Sequence, residues 1–178
     1  MEQIILGGGC FWCLEPVFQA LAGVTEVVPG YCGGSLPEPT YEQVCRGDTG
    51  HVEVIRVTYD PDQIPCRALL EVFFGSHDPT TPDRQGNDVG PQYASVIFAL
   101  SPEQLALAQA LRSEVAAMFE APLCTRIEMA GPFWPAEGVH HAYYANNPEQ
   151  GYCRYVIAPK LAKFRQRYAQ WLKQGAGR

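Results

Sequence analysis

A cysteine stands between three glycines and a pair of aromatics in Gly7-Gly8-Gly9-Cys10-Phe11-Trp12-Cys13-Leu14-Glu15. The glycines allow a tight turn and leave the thiol uncovered. A helix that starts here offers unpaired N–H groups and a positive dipole end, which favour thiolate over thiol. Thiolate is the nucleophilic form of cysteine. Phe11 and Trp12 add an apolar wall beside it. These residue types describe a sulfur nucleophile next to a small greasy pocket.

A thiol needs an acid, a base or an oxygen-binding group to do chemistry. The segment His51-Val52-Glu53-Val54-Ile55-Arg56-Val57 alternates, so Glu53 shares a face with Ile55 and Val57. A carboxyl group on an apolar face resists ionisation and can serve as a general acid near neutral pH. The competing reading, a glutamate on an edge strand facing water, is equally open. The stretch Arg84 to Tyr93 is dense in hydrogen-bonding side chains. Ordinary polar loops look the same. The hydroxyls of Tyr41 and Tyr93 can orient a polar oxygen or simply cap the core with the hydroxyl in water.

The elements that must hold these groups can be read along the chain. Strands are expected at Gln3–Leu6, Val24–Tyr31, His51–Tyr59, Tyr93–Leu100 and Thr125–Met129. Helices are expected from Cys10 to about Ala22, from Pro65 to Phe74, after Ser101-Pro102, and from Lys160 to Lys173. Pro16 is tolerable only in or near the first turn of its helix. Ser101 and Gln104 spell a capping box, and Leu107, Leu111, Val115 and Met118 give that helix one apolar stripe. Thr80 to Pro91 reads as a loop, and Gly131 to Gly151 as irregular with a short helix around His140 to Asn146. The expected fold is α+β: a two-layer sandwich of a mixed, mainly antiparallel sheet with helices and a ferredoxin-like core. Residues 1–178 read as one domain, with 131–178 irregular and then helical.

Composition narrows the function classes. The chain of 178 residues is long enough to bury a core without disulfide staples. Its formal net charge is −6 and no Lys/Arg cluster marks a nucleic-acid surface. No apolar run reaches membrane-spanning length, and Met1-Glu2-Gln3 lacks the positive start of a signal peptide, so a cytoplasmic protein is expected. Seven irregularly spaced cysteines do not make a secreted disulfide framework. Cys32, Cys45, Cys66 and Cys124 are read as plain core residues.

Several strings resemble the A-type peptide methionine sulfoxide reductases, in that family's order from about Ile4 to Tyr168. They are Gly9 to Glu15, Gly50-His51-Val52-Glu53-Val54, His77-Asp78-Pro79-Thr80-Thr81, Arg84 to Tyr93, Pro135-Ala136-Glu137 and Gly151-Tyr152-Cys153. The resemblance implies that Cys10 attacks the sulfoxide sulfur and that Phe11 and Trp12 hold the substrate methyl group. It implies that Glu53 protonates the sulfoxide oxygen, with Tyr41, Asp88 and Tyr93 hydrogen-bonding around it. It implies Cys153 as the thiol that resolves the sulfenic acid, thioredoxin as the reductant, and the S epimer as substrate. No cofactor, metal, nucleic acid or membrane enters this chemistry. The chain departs from the family pattern at Ala94, where Arg is usual, and at Gly138-Val139-His140-His141, where Asp-Tyr-His-Gln is usual.

Rivals remain at this stage. Cys13 lies three residues from Cys10 on one helix face and competes with Cys153 as resolving thiol. Cys10-x-x-Cys13 also fits a thioredoxin-like dithiol oxidoreductase. Zinc held by Cys10, Cys13, His140 and His141 is formally possible, but adjacent histidines rarely share one ion. The glycine run lacks the Gly-Lys-Ser/Thr of a phosphate loop.

Overall fold

A computed structural model describes residues 1–173. Four strands, β1 (Glu2–Gly8), β2 (Val24–Cys32), β3 (Val52–Tyr59) and β6 (Ser95–Ala99), form the centre of a six-stranded sheet. β7 (Arg126–Met129) and β8 (Phe133–Pro135) are its edges, in the order β7-β6-β1-β3-β2-β8. Every pairing is antiparallel except β6 with β7. A separate two-stranded hairpin, β4 (Arg84–Gln85) with β5 (Asp88–Val89), lies inside the stretch expected to be loop.

Alternation along the strands sorts the core into two faces. Ile4, Leu6, Ile55, Val57 and Ile97 face the helices, where they meet Phe11, Leu14 and Phe18 of α1 (Phe11–Gln19). Leu69, Leu70 and Phe73 of α3 (Cys66–Ser76), Leu111 of α4 (Pro102–Ala116) and Phe164 of α6 (Ala158–Arg167) complete that layer. Ile5, Val52, Val54, Val96 and Phe98 form a second cluster on the other face, with Cys32 and Ala94. The α+β expectation of a mixed sheet with helices holds.

Several boundaries differ from expectation for local reasons. Pro16 sits in the second turn of α1, so it cannot donate to the Trp12 carbonyl one turn back. A short helix, α2 (Tyr41–Cys45), starts on a full capping box between Thr40 and Gln43. At α4 the capping box is only half made. Ser101 accepts from the Gln104 N–H, but the Gln104 amide turns inward to Gln3 and Tyr59. Met118 lies beyond α4 and is 74% exposed, so it leaves the apolar stripe. β8 contains Pro135 and survives only as an edge strand. Gly30 permits its approach, because a Cβ there would lie 2.5 Å from Phe133 and the Trp134 carbonyl.

The expected C-terminal helix is broken. A π-helical turn (Cys153–Ile157) precedes α6, and a 3-10 turn (Ala169–Trp171) follows it. The short helix expected near His140 splits into a 3-10 turn (Gly138–His140) and α5 (Tyr143–Asn146). Among the described residues, no helix is long and apolar enough to cross a membrane.

Candidate active site

β1 ends at Gly8 and the chain turns into α1 through Gly9, whose φ of +97° belongs to glycine. A Cβ on Gly9 would meet Gln85 at 2.7 Å, so the turn lies tight against the β4–β5 hairpin. Gln85 is fixed in turn by the backbone of Asp78, which donates to its Oε1 at 2.9 Å. His77 donates from Nδ1 to the Phe73 carbonyl (2.6 Å), which leaves Nε2 of the neutral ring to accept from Ser95 Oγ (2.8 Å), pinning the end of α3 to β6. Burial keeps that imidazole neutral, down at about 4. The His77-Asp78 string is thus a scaffold for the turn that carries Cys10.

Cys10 is the N-cap of α1 and is 7% exposed. In the free protein burial works against the thiolate that the helix start favours. Burial pushes the Cys10 thiol well up, and its bond with Cys13 and the negative charge of Glu53 add to that. The backbone N–H of Trp12 opposes the shift but is outweighed. Cys13 is the more acidic partner, brought down to about 7 chiefly by the bond from Cys10. Tyr152 comes within 3.5 Å of the Cys13 sulfur and donates to Asp88 Oδ2 at 2.6 Å.

Glu53 stands on the helix-facing side of β3, as the alternation predicts, and is fully buried. Its Oε1 accepts from the Phe11 N–H at 3.2 Å, while Oε2 is buried without a partner. Burial pushes the carboxyl up to about 8, against the pull of the Phe11 N–H. It is therefore protonated at neutral pH. The edge-strand alternative fails, because β3 is central. Tyr41 and Tyr93 lie near enough to feel the Glu53 charge, and burial raises both phenols above their usual range.

Phe11 is fully buried and its ring lies 5.8 Å from Tyr31 and 5.4 Å from His140. Trp12 is partly exposed, with Tyr143 stacked on it at 3.9 Å and 11°. The Trp12 indole donates to Nδ1 of His140 at 3.1 Å, and that ring also lies 4.4 Å from Tyr41. Glu137 collects the Tyr31 hydroxyl at 3.2 Å and the Tyr41 N–H at 3.1 Å. Cys10, Phe11, Trp12, Tyr41, Glu53, Asp88 and Tyr93 thus belong to one cluster.

Cys153 stands apart from that description. It is fully buried at the start of the π-helical turn. Burial raises its thiol, and the charge of Cys13 raises it further. All seven cysteines are unpaired. Cys32 is a core residue as expected, whereas Cys45 is exposed and Cys66 and Cys124 are half-buried.

Four further residues around the site carried no assigned role in the sulfoxide chemistry: Glu137, His140, Tyr143 and Tyr152. Glu137 and Tyr152 lie in strings that resemble the family, which was the available signal. His140 was read only as a zinc ligand. Its Nδ1 is committed to Trp12, and His141 Nε2 to the Ala136 carbonyl at 2.8 Å. Among the described residues no group of three or more His, Cys, Asp or Glu is placed to hold a metal ion.

Comparison with known proteins agrees with the motifs. The family described as "Peptide methionine sulfoxide reductase" matches residues 2–172. The chain is similar to "Peptide methionine sulfoxide reductase MsrA" of Ralstonia nicotianae, at 55% identity over 97% of this chain and 94% of that protein. It is similar in structure to reduced Mxr1 of Saccharomyces cerevisiae, with a TM-score of 0.82 and 34% identity, covering 85% of this chain and 88% of that one. Methionine sulfoxide reductase A of Corynebacterium diphtheriae gives 0.77 and 36%, covering 86% and 78%. With nearly its whole length matched, the chain belongs to the A-type peptide methionine sulfoxide reductase family.

Proposed function

We propose that the protein reduces the S epimer of methionine sulfoxide, peptide-bound or free, to methionine by way of a sulfenic acid on Cys10. The carrying observation is a neutral, buried Glu53 with one unpartnered oxygen, tied to the first residue of the helix that Cys10 caps. A sulfoxide is polar at S=O and apolar at its methyl. Trp12, backed by Phe11, offers the methyl a wall, and Tyr41, Asp88 and Tyr93 offer hydrogen-bonding groups around the oxygen.

Glu53 hands its proton to the sulfoxide oxygen, which makes the sulfur electrophilic. The Cys10 sulfur attacks, its own proton leaving to the Cys13 thiolate. The S–O bond of the substrate breaks as the oxygen passes to Cys10, so cysteine becomes sulfenic acid and methionine leaves. A second thiol displaces water from the sulfenic acid and forms an intramolecular disulfide. Thioredoxin, the reductant that the family resemblance implies, reduces that disulfide by thiol exchange.

Two thiols compete for the resolving step. The resemblance supports Cys153. The geometry supports Cys13, which sits in the first turn of the helix that Cys10 caps, with its backbone N–H on the Cys10 carbonyl at 3.0 Å.

The finer fold reading is a ferredoxin-like core, supported by the order β6-β1-β3-β2 with α1 and α3 as crossovers. We read residues 1–178 as one reductase domain, since the helix-facing core gathers residues from α1, α3, α4 and α6. A reducing cytoplasm suits its unpaired thiols.

The test is a coupled assay on each sulfoxide epimer with dithiothreitol or thioredoxin as reductant. Turnover confined to the S epimer supports the reading. No turnover with either reductant overturns it.

A further inference from the structure

We propose that Glu137 is a positioning residue that ties the two sides of the substrate pocket together. Its carboxylate fixes the start of the helix that carries Tyr41, and the turn it opens holds His140 on the Trp12 indole. The inference rests on the reading of Trp12 as the wall for the substrate methyl and of Tyr41 as a hydrogen-bonding group near its oxygen.

The Tyr41 side is held through the backbone. Tyr41 is the first residue of α2, so its N–H has no partner inside that helix. The Thr40 and Gln43 N–H groups are taken by the capping box. The Tyr41 N–H goes instead to Glu137 Oε2 at 3.1 Å. Oε1 of the same carboxylate accepts from the hydroxyl of the fully buried Tyr31 at 3.2 Å, which fixes it against β2. Both oxygens are engaged, so the side chain cannot turn without losing a bond.

The Trp12 side is held through the turn. The Glu137 carbonyl accepts from the His140 N–H at 2.9 Å and closes the 3-10 turn Gly138–His140. The indole N–H of Trp12 can only donate, so His140 Nδ1 accepts it at 3.1 Å, and the proton of the neutral ring sits on Nε2. That Nε2 lies 3.8 Å from Glu137 Oε2, too far for a hydrogen bond but on the side where a negative charge favours the proton. The His140 ring stands between the two aromatic partners, 4.4 Å from Tyr41 and 5.7 Å from Trp12.

Little else joins these parts. The Ala136 N–H holds the chain to the Pro29 carbonyl at 2.9 Å, and His141 Nε2 closes the turn back on the Ala136 carbonyl. Neither bond reaches α2. Gly138 and Val139 are exposed, and a Cβ on Gly138 would meet nothing within 4 Å. Among the described residues, the Glu137 carboxylate makes the only hydrogen bond between this turn and α2.

The test measures KM for methionine S-sulfoxide and the single-turnover rate at saturation. The single variants are Glu137→Ala, Glu137→Gln, His140→Phe, Tyr41→Phe and Trp12→Ala. The double variants are Glu137→Ala/His140→Phe and Glu137→Ala/Tyr41→Phe. The Glu137 side chain is 44% exposed, so truncating it opens no core cavity and Glu137→Ala is expected to fold. It is expected to raise KM and to lower the rate, each about three- to tenfold, the range that one hydrogen bond carries. Glu137→Gln can accept from the Tyr41 N–H and donate to the Tyr31 oxygen, and is expected to recover most of both losses. Beside His140→Phe, Glu137→Ala should raise KM little further. Beside Tyr41→Phe, it should lower the rate little further, since each pair acts on one contact.

Unchanged KM and rate in Glu137→Ala, beside a raised KM in Trp12→Ala, overturn the inference and leave the pocket reading intact. Effects that simply multiply in either double variant overturn it too, because a general loosening of the site gives that result. So does a Glu137→Gln protein as impaired as Glu137→Ala. An unchanged KM in Trp12→Ala removes the pocket reading and the inference with it.

Discussion

The backbone N–H of Phe11 donates to Oε1 of Glu53 at 3.2 Å. Through this bond the acid on β3 is held at the first turn of the nucleophile's helix, although the residues lie far apart in sequence. In the proposed mechanism the bond leaves one carboxyl oxygen for the substrate. Oε1 is occupied, and Oε2 is left to carry the proton.

Because burial holds Glu53 up at about 8, the chemical step should depend on its protonated form. The single-turnover rate is expected to fall as pH rises through that value, by about tenfold per pH unit above it. In Glu53→Gln the rate should be lower by about 10²–10⁴-fold and lose this alkaline limb. Stopped-flow rates across the pH range check both. A variant within about threefold of the parent contradicts the acid role, given what such catalysis usually contributes.

The same shift has a stability consequence. The folded-state pKa of Glu53 lies above the unfolded value, so the fold binds its proton more tightly than the unfolded chain does. Stability is therefore lost as pH rises from about 4.3, the ordinary glutamate value, to about 8. Glu53→Gln cannot ionise and escapes this loss. Its melting temperature is expected to exceed the parent's above pH 8, with the gap shrinking as pH falls. A gap that is the same at every pH contradicts the assignment.

Phe11 and Trp12 should not behave alike, although the sequence treats them as one wall. Phe11 is fully buried, so Phe11→Ala leaves a core cavity worth about 3–5 kcal/mol. It should be read by thermal unfolding. Trp12 is partly exposed, so Trp12→Ala is expected to raise KM with a smaller loss of stability. Equal melting points for the two variants contradict this division.

Thiol labelling separates the two cysteines of the motif. Cys13 is brought down to about 7 by its bond from Cys10, and Cys10 is held up by burial. In the free protein, iodoacetamide should therefore mark Cys13 before Cys10, with a pH midpoint near that value. Cys10→Ala removes the donor, and the Cys13 midpoint should rise. Faster labelling of Cys10 in the parent would show that the helix start outweighs burial after all.

Much of this was legible locally. The alternation of Val52 to Val57 put Glu53 on the correct face, and the glycine–cysteine–aromatic string located the nucleophile at a strand–helix junction. What the sequence hid were effects that depend on distant chain. The helix start argued for a Cys10 thiolate, but the burial that opposes it comes from the whole fold. The Trp12–His140 bond spans 128 positions, and no periodicity announces it. β8 was missed because it is three residues long, contains proline and exists only against β2. The burial of Cys153 comes from the π-helical turn, which no pattern around Gly151-Tyr152-Cys153 announces.

The most direct test of the mechanism is one turnover without reductant. The protein is mixed with one equivalent of methionine S-sulfoxide, released methionine is quantified, and the cysteines are mapped by mass spectrometry. The account predicts one methionine per chain, two thiols lost, Cys10 in the disulfide with Cys13 or Cys153, no reaction with the R epimer, and none in Cys10→Ser. Methionine release by Cys10→Ser, or a disulfide that leaves Cys10 free while methionine is produced in full, would contradict it.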